Sequence, residues 1–199
     1  MKIIIYNYGA SNLYSIYSAL KRLNEDTKVV ERTDSEKQPD LLVLPGVGNF
    51  SQASKSLKDQ KESIVQMARK GTFVLGICLG LHMFYEKSEE GEGEGLGVLR
   101  GTVMKLNRGK VPHMGWSYTE LLKENYVWKS EKKGDWFYYA HSYYVPSEER
   151  FVYAVAENSE IKIPALIIKE NFVGVQFHPE KSGKSGLMIL KGVLEAVKK

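Results

Sequence analysis

The sequence predicts an α/β fold: a single domain over residues 1–199, with a mostly parallel central sheet, helices on both of its faces and additional antiparallel strands. Three observations predict it. From Lys2 to about Tyr85, short β-branched apolar runs alternate with longer stretches of helical period, the order that gives parallel pairing with helices covering the sheet. Between about Gly97 and Val175 the pattern changes to strand-like runs separated by glycines, prolines and charged turns, which predicts antiparallel or mixed strands. No internal repeat, low-complexity tract or Pro-rich linker divides the chain, and 199 residues suffice to bury a core.

In chain order, "KIIIYNY" is a buried first strand that ends at Gly9. Ser11 is placed as N-cap of a helix through "NLYSIYSALKRL", in which Leu13, Ile16, Tyr17 and Leu20 share a face. "KVVER" is a second strand, and "DLLVLPGVGNF" is a third, stopped by Pro45 and two glycines. One long helix is expected from about Ser51 to Lys70, with Leu57, Ile64, Val65 and Ala68 inward. "TFVLGIC" is a fourth strand that passes directly into a helix at "LGLHMFYEKSEE". The runs "GVLRGTVMKL", "WFYYAHSYYV", "FVYAVAE", "PALIIKE" and "FVGVQF" supply the later strands, and "GLMILKGVLEAVKK" closes the chain as a helix.

Composition narrows the class. Hydrophobic residues at 43% and charged residues at 26% are ordinary for a soluble globular protein. The net charge of +4 is mild, and the densest lysine run, "KSEKKGD", is interleaved with acids, so no nucleic-acid patch is expected. One cysteine makes no internal disulfide and points to a reducing, cytoplasmic setting. The start "MKIIIYNYG" lacks the parts of a signal peptide. The near-apolar run from Phe73 to Tyr85 falls short of the roughly 20 residues that span a bilayer, so no membrane association is expected. His82, His113, His141 and His178 are far apart in sequence and no second cysteine is present, so no metal site and no cofactor are expected.

The lone cysteine, Cys78, lies in Gly76-Ile77-Cys78-Leu79-Gly80 at the strand-to-helix junction. The pattern small-x-nucleophile-x-small is that of a nucleophile elbow, in which side chains on the flanks would collide with the neighbouring strand and helix. The turn lifts the sulfur to a helix N-terminus, where unpaired N–H groups favour thiolate. Close helix–strand packing around a small buried cysteine is the alternative reading of the same five residues. A cysteine nucleophile needs a base and the base an orienting group. His178 and Glu180 in "GVQFHPEKS" supply them if the residue before Pro179 is extended, so that alternate side chains project together. A tetrahedral oxyanion needs backbone N–H donors, worth about 3–4 kcal/mol each. Leu79, directly after the cysteine, and the Gly46-Val47-Gly48 turn of "LPGVGNF" are the candidates.

With these pieces the chain resembles the class I (triad) glutamine amidotransferases over nearly its whole length, through "GICLG" and "FHPE". "YGASNLYS", "LPGVGNF", "VPHMGW", "YYAHSY" and "VQFHPEKS" narrow the resemblance to the glutaminase subunits of imidazole glycerol phosphate synthases. The resemblance implies a flavodoxin-like sheet and hydrolysis of glutamine to glutamate and ammonia, the ammonia passing to a HisF-type (β/α)8-barrel cyclase as heterodimer partner. It implies a γ-glutamyl thioester on Cys78, with His178 moving the protons, Glu180 orienting His178, and Leu79 with the Val47–Gly48 peptide holding the oxyanion. It also implies that Glu90 holds the substrate's α-amino group and the backbone at Ser142 and Tyr143 its carboxylate. Asn12, Met114, Trp116, Tyr138 and Lys181 would face the partner, and His113 and His141 would support structure or that interface. The family commonly has glutamine four residues after the cysteine; here His82 stands on the same helical face and would contact substrate or fill space. Two other readings remain at this stage: a glutaminase subunit of another synthase, and a catalytically silent scaffold or cysteine sensor of similar fold.

Overall fold

Alternation along the first strand, β1 (Lys2–Tyr6), divides the interior into two cores, because Ile3 and Ile5 pack with one buried cluster and Ile4 and Tyr6 with the other. Each fully buried side chain of this kind contributes about 1.5–3 kcal/mol. The protein is described from a computed structural model, which covers residues 1–199 apart from 10, 11, 24, 34–37, 147 and 160. The N-cap expected at Ser11 therefore lies outside the described residues.

The remaining elements follow the predicted order through α1 (Leu13–Arg22), β2 (Asp26–Val30) and β3 (Leu41–Leu44). Next come α2 (Phe50–Leu57), α3 (Lys61–Arg69), β4 (Phe73–Ile77) and α4 (Leu79–His82). The second half holds β5 (Lys87–Ser88), β6 (Thr102–Lys105), β7 (His113–Leu121), β8 (Gly134–His141) and β9 (Tyr143–Tyr144). It ends with β10 (Val152–Asn158), β11 (Ile161–Lys169), β12 (Phe172–Val175), a 3-10 turn over Pro179–Lys181 and α5 (Gly183–Val197). Among the described residues, nine strands form one sheet in the order β2-β1-β3-β4-β12-β11-β10-β7-β8. It is parallel from β2 to β12 and antiparallel from there on, so the second half extends the first sheet. Helices α1 and α5 cover one face, through Ile16, Leu20, Ile189 and Val193, and α2 and α3 the other, through Phe50, Leu57 and Ile64. Strands β5, β6 and β9 make a small separate sheet.

Two helices differ from expectation. The continuous helix expected from Ser51 to Lys70 is broken between Leu57 and Lys61. There Gln60 turns inward and its Oε1 accepts from both the backbone N–H and the hydroxyl of Thr33, each at 2.8 Å. Helical periodicity carries no trace of that tertiary demand. The helix expected over "LGLHMFYEKSEE" is a single turn, Leu79–His82. Its next carbonyls are claimed from outside: Met83 O accepts from Leu96 N–H at 2.6 Å and Phe84 O from Leu99 N–H at 2.9 Å. Among the described residues no helix is long and apolar enough to cross a membrane.

Candidate active site

The site forms where β4 and β12, parallel neighbours, end side by side, with Val175 opposite Ile77. Cys78 extends the pairing by donating its N–H to Val175 O at 2.7 Å, then turns with φ 48 and ψ −101. That backbone lies outside the ordinary regions for a side-chain-bearing residue and stores about 1–3 kcal/mol. The flanking glycines are needed for contact: a Cβ on Gly76 would collide with Gly80, and one on Gly80 would overlap the Leu44 carbonyl. A Cβ on Gly46 would overlap Ile77 O, so the Gly46-Val47-Gly48 turn also lies directly against the elbow.

With α4 one turn long, the dipole of an extended helix, expected to support the thiolate, is not available to Cys78. Side chains and strand ends surround the sulfur instead. Gln176 Nε2–H donates to Cys78 Sγ at 3.5 Å, and Ala140 O lies 4.0 Å from the sulfur. His178 is fully buried, and its Nε2 makes no hydrogen bond among the described residues.

His178 and Glu180 meet differently from the extended pair expected. His178 is extended, at φ −98 and ψ 96, but Glu180 lies in the 3-10 turn that Pro179 opens. The turn folds the carboxylate back, and Glu180 Oε1 accepts from His178 Nδ1 at 2.9 Å. A carboxylate can only accept, so Nδ1 carries the proton and Nε2 is left for the sulfur. Burial, the largest influence on His178, pulls its pKa down, but the Cys78 sulfur and the Glu180 carboxylate outweigh it and raise it from 6.5 to about 10.

Three supports were not picked out as such in the sequence. Asn12, expected at a partner surface, donates its side-chain N–H to Glu180 Oε1 at 2.7 Å. Ser182 is buried, accepts from Tyr138 N–H at 2.9 Å and donates to His178 O at 2.6 Å, tying β8 to His178. Gln176 lies two residues before His178 along an extended segment, and that parity is the signal that points to it.

A cavity of about 210 Å³ opens over the sulfur, lined among others by Val47, Gly48, Leu79, His82, Glu90, Ser142 and Tyr143. Burial raises the pKa of Glu90, opposed by the Phe50 N–H that one carboxylate oxygen accepts at 2.8 Å. His82 is buried with Nε2 3.0 Å from Gln176 Oε1, and burial, partly offset by that bond, lowers its pKa from 6.5 to about 4.

The four histidines, distant in sequence, converge here. His113 and His141 are paired across β7 and β8 and meet at 3.0 Å, Nδ1 to Nε2. Burial and the neighbouring His113 lower the pKa of His141 to about 3. Among the described residues no group of His, Cys, Asp and Glu is arranged to hold a metal. Met114 and Trp116 are 52% and 54% exposed on β7; Trp116 meets Tyr138 edge to face at 6.2 Å, and Lys181 stands over the Tyr138 ring. That patch adjoins the triad, since His178 N–H donates to Tyr138 O at 2.8 Å.

An elbow cysteine at the end of this sheet, with histidine and glutamate behind it, is the arrangement of an amidotransferase, and the comparisons agree. Residues 4–194 match the family described as Glutamine amidotransferase class-I, and the chain belongs to it and is an enzyme, a glutamine amidotransferase. Within the class it belongs with the HisH proteins. Imidazole glycerol phosphate synthase subunit HisH of Caldanaerobacter subterraneus subsp. tengcongensis is 44% identical, covering 98% of both chains. The subunit of the same name from Oceanobacillus iheyensis is 40% identical, covering 98% of this chain and 100% of its own. The solved structure of PurLQS from Thermotoga maritima has the same fold, with TM-score 0.76 at 19% identity over 98% of both chains.

Proposed function

We propose that this chain is the glutaminase subunit of an imidazole glycerol phosphate synthase. The observation that carries the proposal is one cavity that brings Cys78 together with the lining residues named above, while the buried His178–Glu180 pair follows the neighbouring strand end. Glutamine enters with its α-ammonium at Glu90, one of whose oxygens is anchored by Phe50 N–H, and its α-carboxylate at the backbone of Ser142 and Tyr143. Cys78 Sγ gives its proton to His178 Nε2 and attacks the side-chain amide carbon. The oxygen takes the negative charge and is met by the N–H of Leu79 and the Val47–Gly48 peptide. The carbon–nitrogen bond then breaks, His178 giving the nitrogen a proton, and ammonia leaves a γ-glutamyl thioester. His178 next takes a proton from water, which attacks the thioester, releases glutamate and restores the sulfur. Glu180 holds the imidazole in its Nδ1–H form throughout.

The ammonia serves a HisF-type (β/α)8-barrel cyclase in the cytoplasm, which uses it to make imidazole glycerol phosphate and an aminoimidazole carboxamide ribotide. The docking face is the patch of Met114, Trp116, Tyr138 and Lys181, an exposed aromatic and methionine surface of the kind interfaces favour. Asn12, bonded to Glu180, lies where that face meets the triad. The test is glutamate release by the protein alone, with the cyclase, and with the cyclase plus its ribulosyl-phosphate ligand, with Cys78→Ala as blank. Low release alone and a large rise in the full mixture, lost in Cys78→Ala, is the expected result. No rise with that partner would return the chain to some other synthase, and turnover surviving in Cys78→Ala would remove the cysteine from the mechanism.

A further inference from the structure

Beside the sulfur lies a buried polar chain formed by Gln176 and His82, the second of which also lines the cavity. Gln176 is fully buried and follows the last register pair of β12 with β4, so it lies beside Cys78 across the sheet. His82 is one helical turn after Cys78, and its N–H bonds back to Cys78 O at 3.1 Å. The two side chains meet at 3.0 Å, His82 Nε2 to Gln176 Oε1, and Gln176 Nε2 reaches Cys78 Sγ at 3.5 Å. We propose that Gln176 is a further catalytic residue, supplying a fixed N–H donor to the Cys78 sulfur, and that His82 is the positioning residue that holds the Gln176 amide in the orientation this requires. The proposal rests on Cys78 being the nucleophile.

Donor and acceptor roles fix the orientation of the amide. An amide presents N–H on one side and C=O on the other. A sulfur that becomes anionic needs N–H groups, and a carbonyl oxygen turned toward it would repel the charge. Only one orientation therefore serves the anion: Nε2 toward sulfur and Oε1 toward His82. A carbonyl accepts, so His82 must donate through Nε2–H, which leaves Nδ1 unprotonated in the neutral ring. His82 is neutral near pH 7, since its pKa is pulled to about 4. With both side chains buried, no bulk water competes for these bonds, and the flipped amide would need the other tautomer of His82. The dipole that an extended helix would bring to this cysteine is absent because α4 has a single turn, and a side-chain N–H takes up part of that task.

Because Cys78 is the only cysteine, alkylation by iodoacetamide, followed by intact mass across a pH series, reads its thiolate directly. Gln176→Met keeps the length and removes the donor. A hydrogen bond to a charged group is worth about 1.5–3 kcal/mol, so the alkylation profile is expected to be displaced to higher pH by about one unit or more. His82→Leu moves the profile the same way by less, and His82→Gln, whose side-chain N–H donates to the same oxygen, restores it. A merely structural role for either residue would lower the thermal midpoint and leave the alkylation profile in place, which overturns the proposal. The wild-type protein supplies a readout independent of any variant's folding: long-range proton–nitrogen spectra are expected to show His82 with the proton on Nε2, and a proton on Nδ1 overturns it. If Cys78→Ala retained glutamine turnover, the nucleophile reading would fail, whereas these two measurements would still report on the contact between Gln176 and sulfur.

Discussion

Asn12 Nδ2 and His178 Nδ1 both donate to the same oxygen of Glu180, at 2.7 and 2.9 Å. The carboxylate proposed to orient His178 is thus itself held, by a residue 168 positions earlier in the chain. Asn12 precedes α1 with φ 73, a left-handed conformation that asparagine tolerates and that brings its short amide to the turn after β12.

That backbone decides how the contact is tested. Asn12→Ala removes the amide and keeps a Cβ at the left-handed backbone without the short polar side chain that tolerates it, at about 1 kcal/mol of strain. Asn12→Gly removes the whole side chain but adopts this backbone without strain, and is the cleaner variant. A hydrogen bond to a charged acceptor of about 1.5 kcal/mol corresponds to about tenfold in rate. The glutaminase kcat of the complex with Asn12→Gly is expected to fall by about that factor, with KM little changed, in steady-state assays. An unchanged kcat would show that His178 alone keeps Glu180 in place.

A second prediction concerns the strain at the elbow. Cys78 at φ 48 and ψ −101 is costly for any residue with a Cβ, and glycine escapes most of that cost. Glycine loses about 0.5–1 kcal/mol through chain entropy, which the relief of about 1–3 kcal/mol exceeds. Both variants lack the sulfur, so Cys78→Gly is expected to be more stable than Cys78→Ala by about 1 kcal/mol in urea denaturation. The reverse order would mean that the surroundings had relaxed and that the strain belongs to cysteine alone.

The parts of this architecture that were legible in the sequence are those encoded locally. Alternating strand and helix patterns placed the parallel half of the sheet, and Gly76 and Gly80 marked the elbow because close approach excludes any Cβ there. What could not be read depends on contacts between distant residues. The break at Gln60 answers to Thr33, and α4 stops because Leu96 and Leu99 take the carbonyls that would continue it. His113 and His141 look isolated until the hairpin of β7 and β8 places them opposite each other. Glu180 reaches His178 by a 3-10 turn, where the expected route was an extended segment, because Pro179 also suits the first position of a helical turn.

Stability should respond to pH from both sides. His82 and His141 have folded pKa values depressed from 6.5 to about 4 and about 3, chiefly by burial. Between those values and 6.5 the unfolded chain binds more protons than the folded one, so their contribution is present at neutral pH and lost as pH falls. His178 has the opposite sign. Its folded pKa is raised to about 10, so its contribution is fully present below 6.5 and lost as pH rises toward 10. Urea midpoints measured across this range should show His82→Gln flattening the acid limb and His178→Gln the alkaline limb, each relative to wild type. Parallel curves for wild type and variants would remove these histidines as the cause.

The exposed patch makes a prediction separable from catalysis. Trp116 is 54% exposed and stands edge to face with Tyr138. If the patch docks the cyclase, a buried tryptophan at its centre is worth about 2 kcal/mol or more, about thirtyfold in Kd. Trp116→Ala is expected to weaken the complex by that factor in calorimetric titration while the thermal midpoint of the subunit stays unchanged. Unchanged affinity would place the docking face elsewhere.

The histidine pair supplies the last prediction, and its tautomers can be worked out link by link. Tyr143 O can only accept, so His141 Nδ1, 2.7 Å away, carries a proton. Neutral His141 then has a lone pair on Nε2, which accepts Nδ1–H of His113 at 3.0 Å, and His113 Nε2 accepts the Ser117 hydroxyl at 2.7 Å. The chain therefore runs in one direction, from Ser117 on the strand that carries Trp116 to the carbonyl of a residue lining the cavity. Tyr143 belongs to the segment proposed to hold the substrate carboxylate, and none of these groups reaches the sulfur's proton. Loss of the link should loosen binding of glutamine more than it slows the chemistry. A net hydrogen bond of about 1 kcal/mol gives His141→Phe a rise in KM of about fivefold, with kcat changed less than twofold, and Ser117→Ala a smaller effect in the same direction. Steady-state kinetics of the assembled complex separate the two constants. A fall in kcat at constant KM would mean that the pair acts on the triad and not on the binding wall, because only that route reaches the transition state without touching the bound substrate.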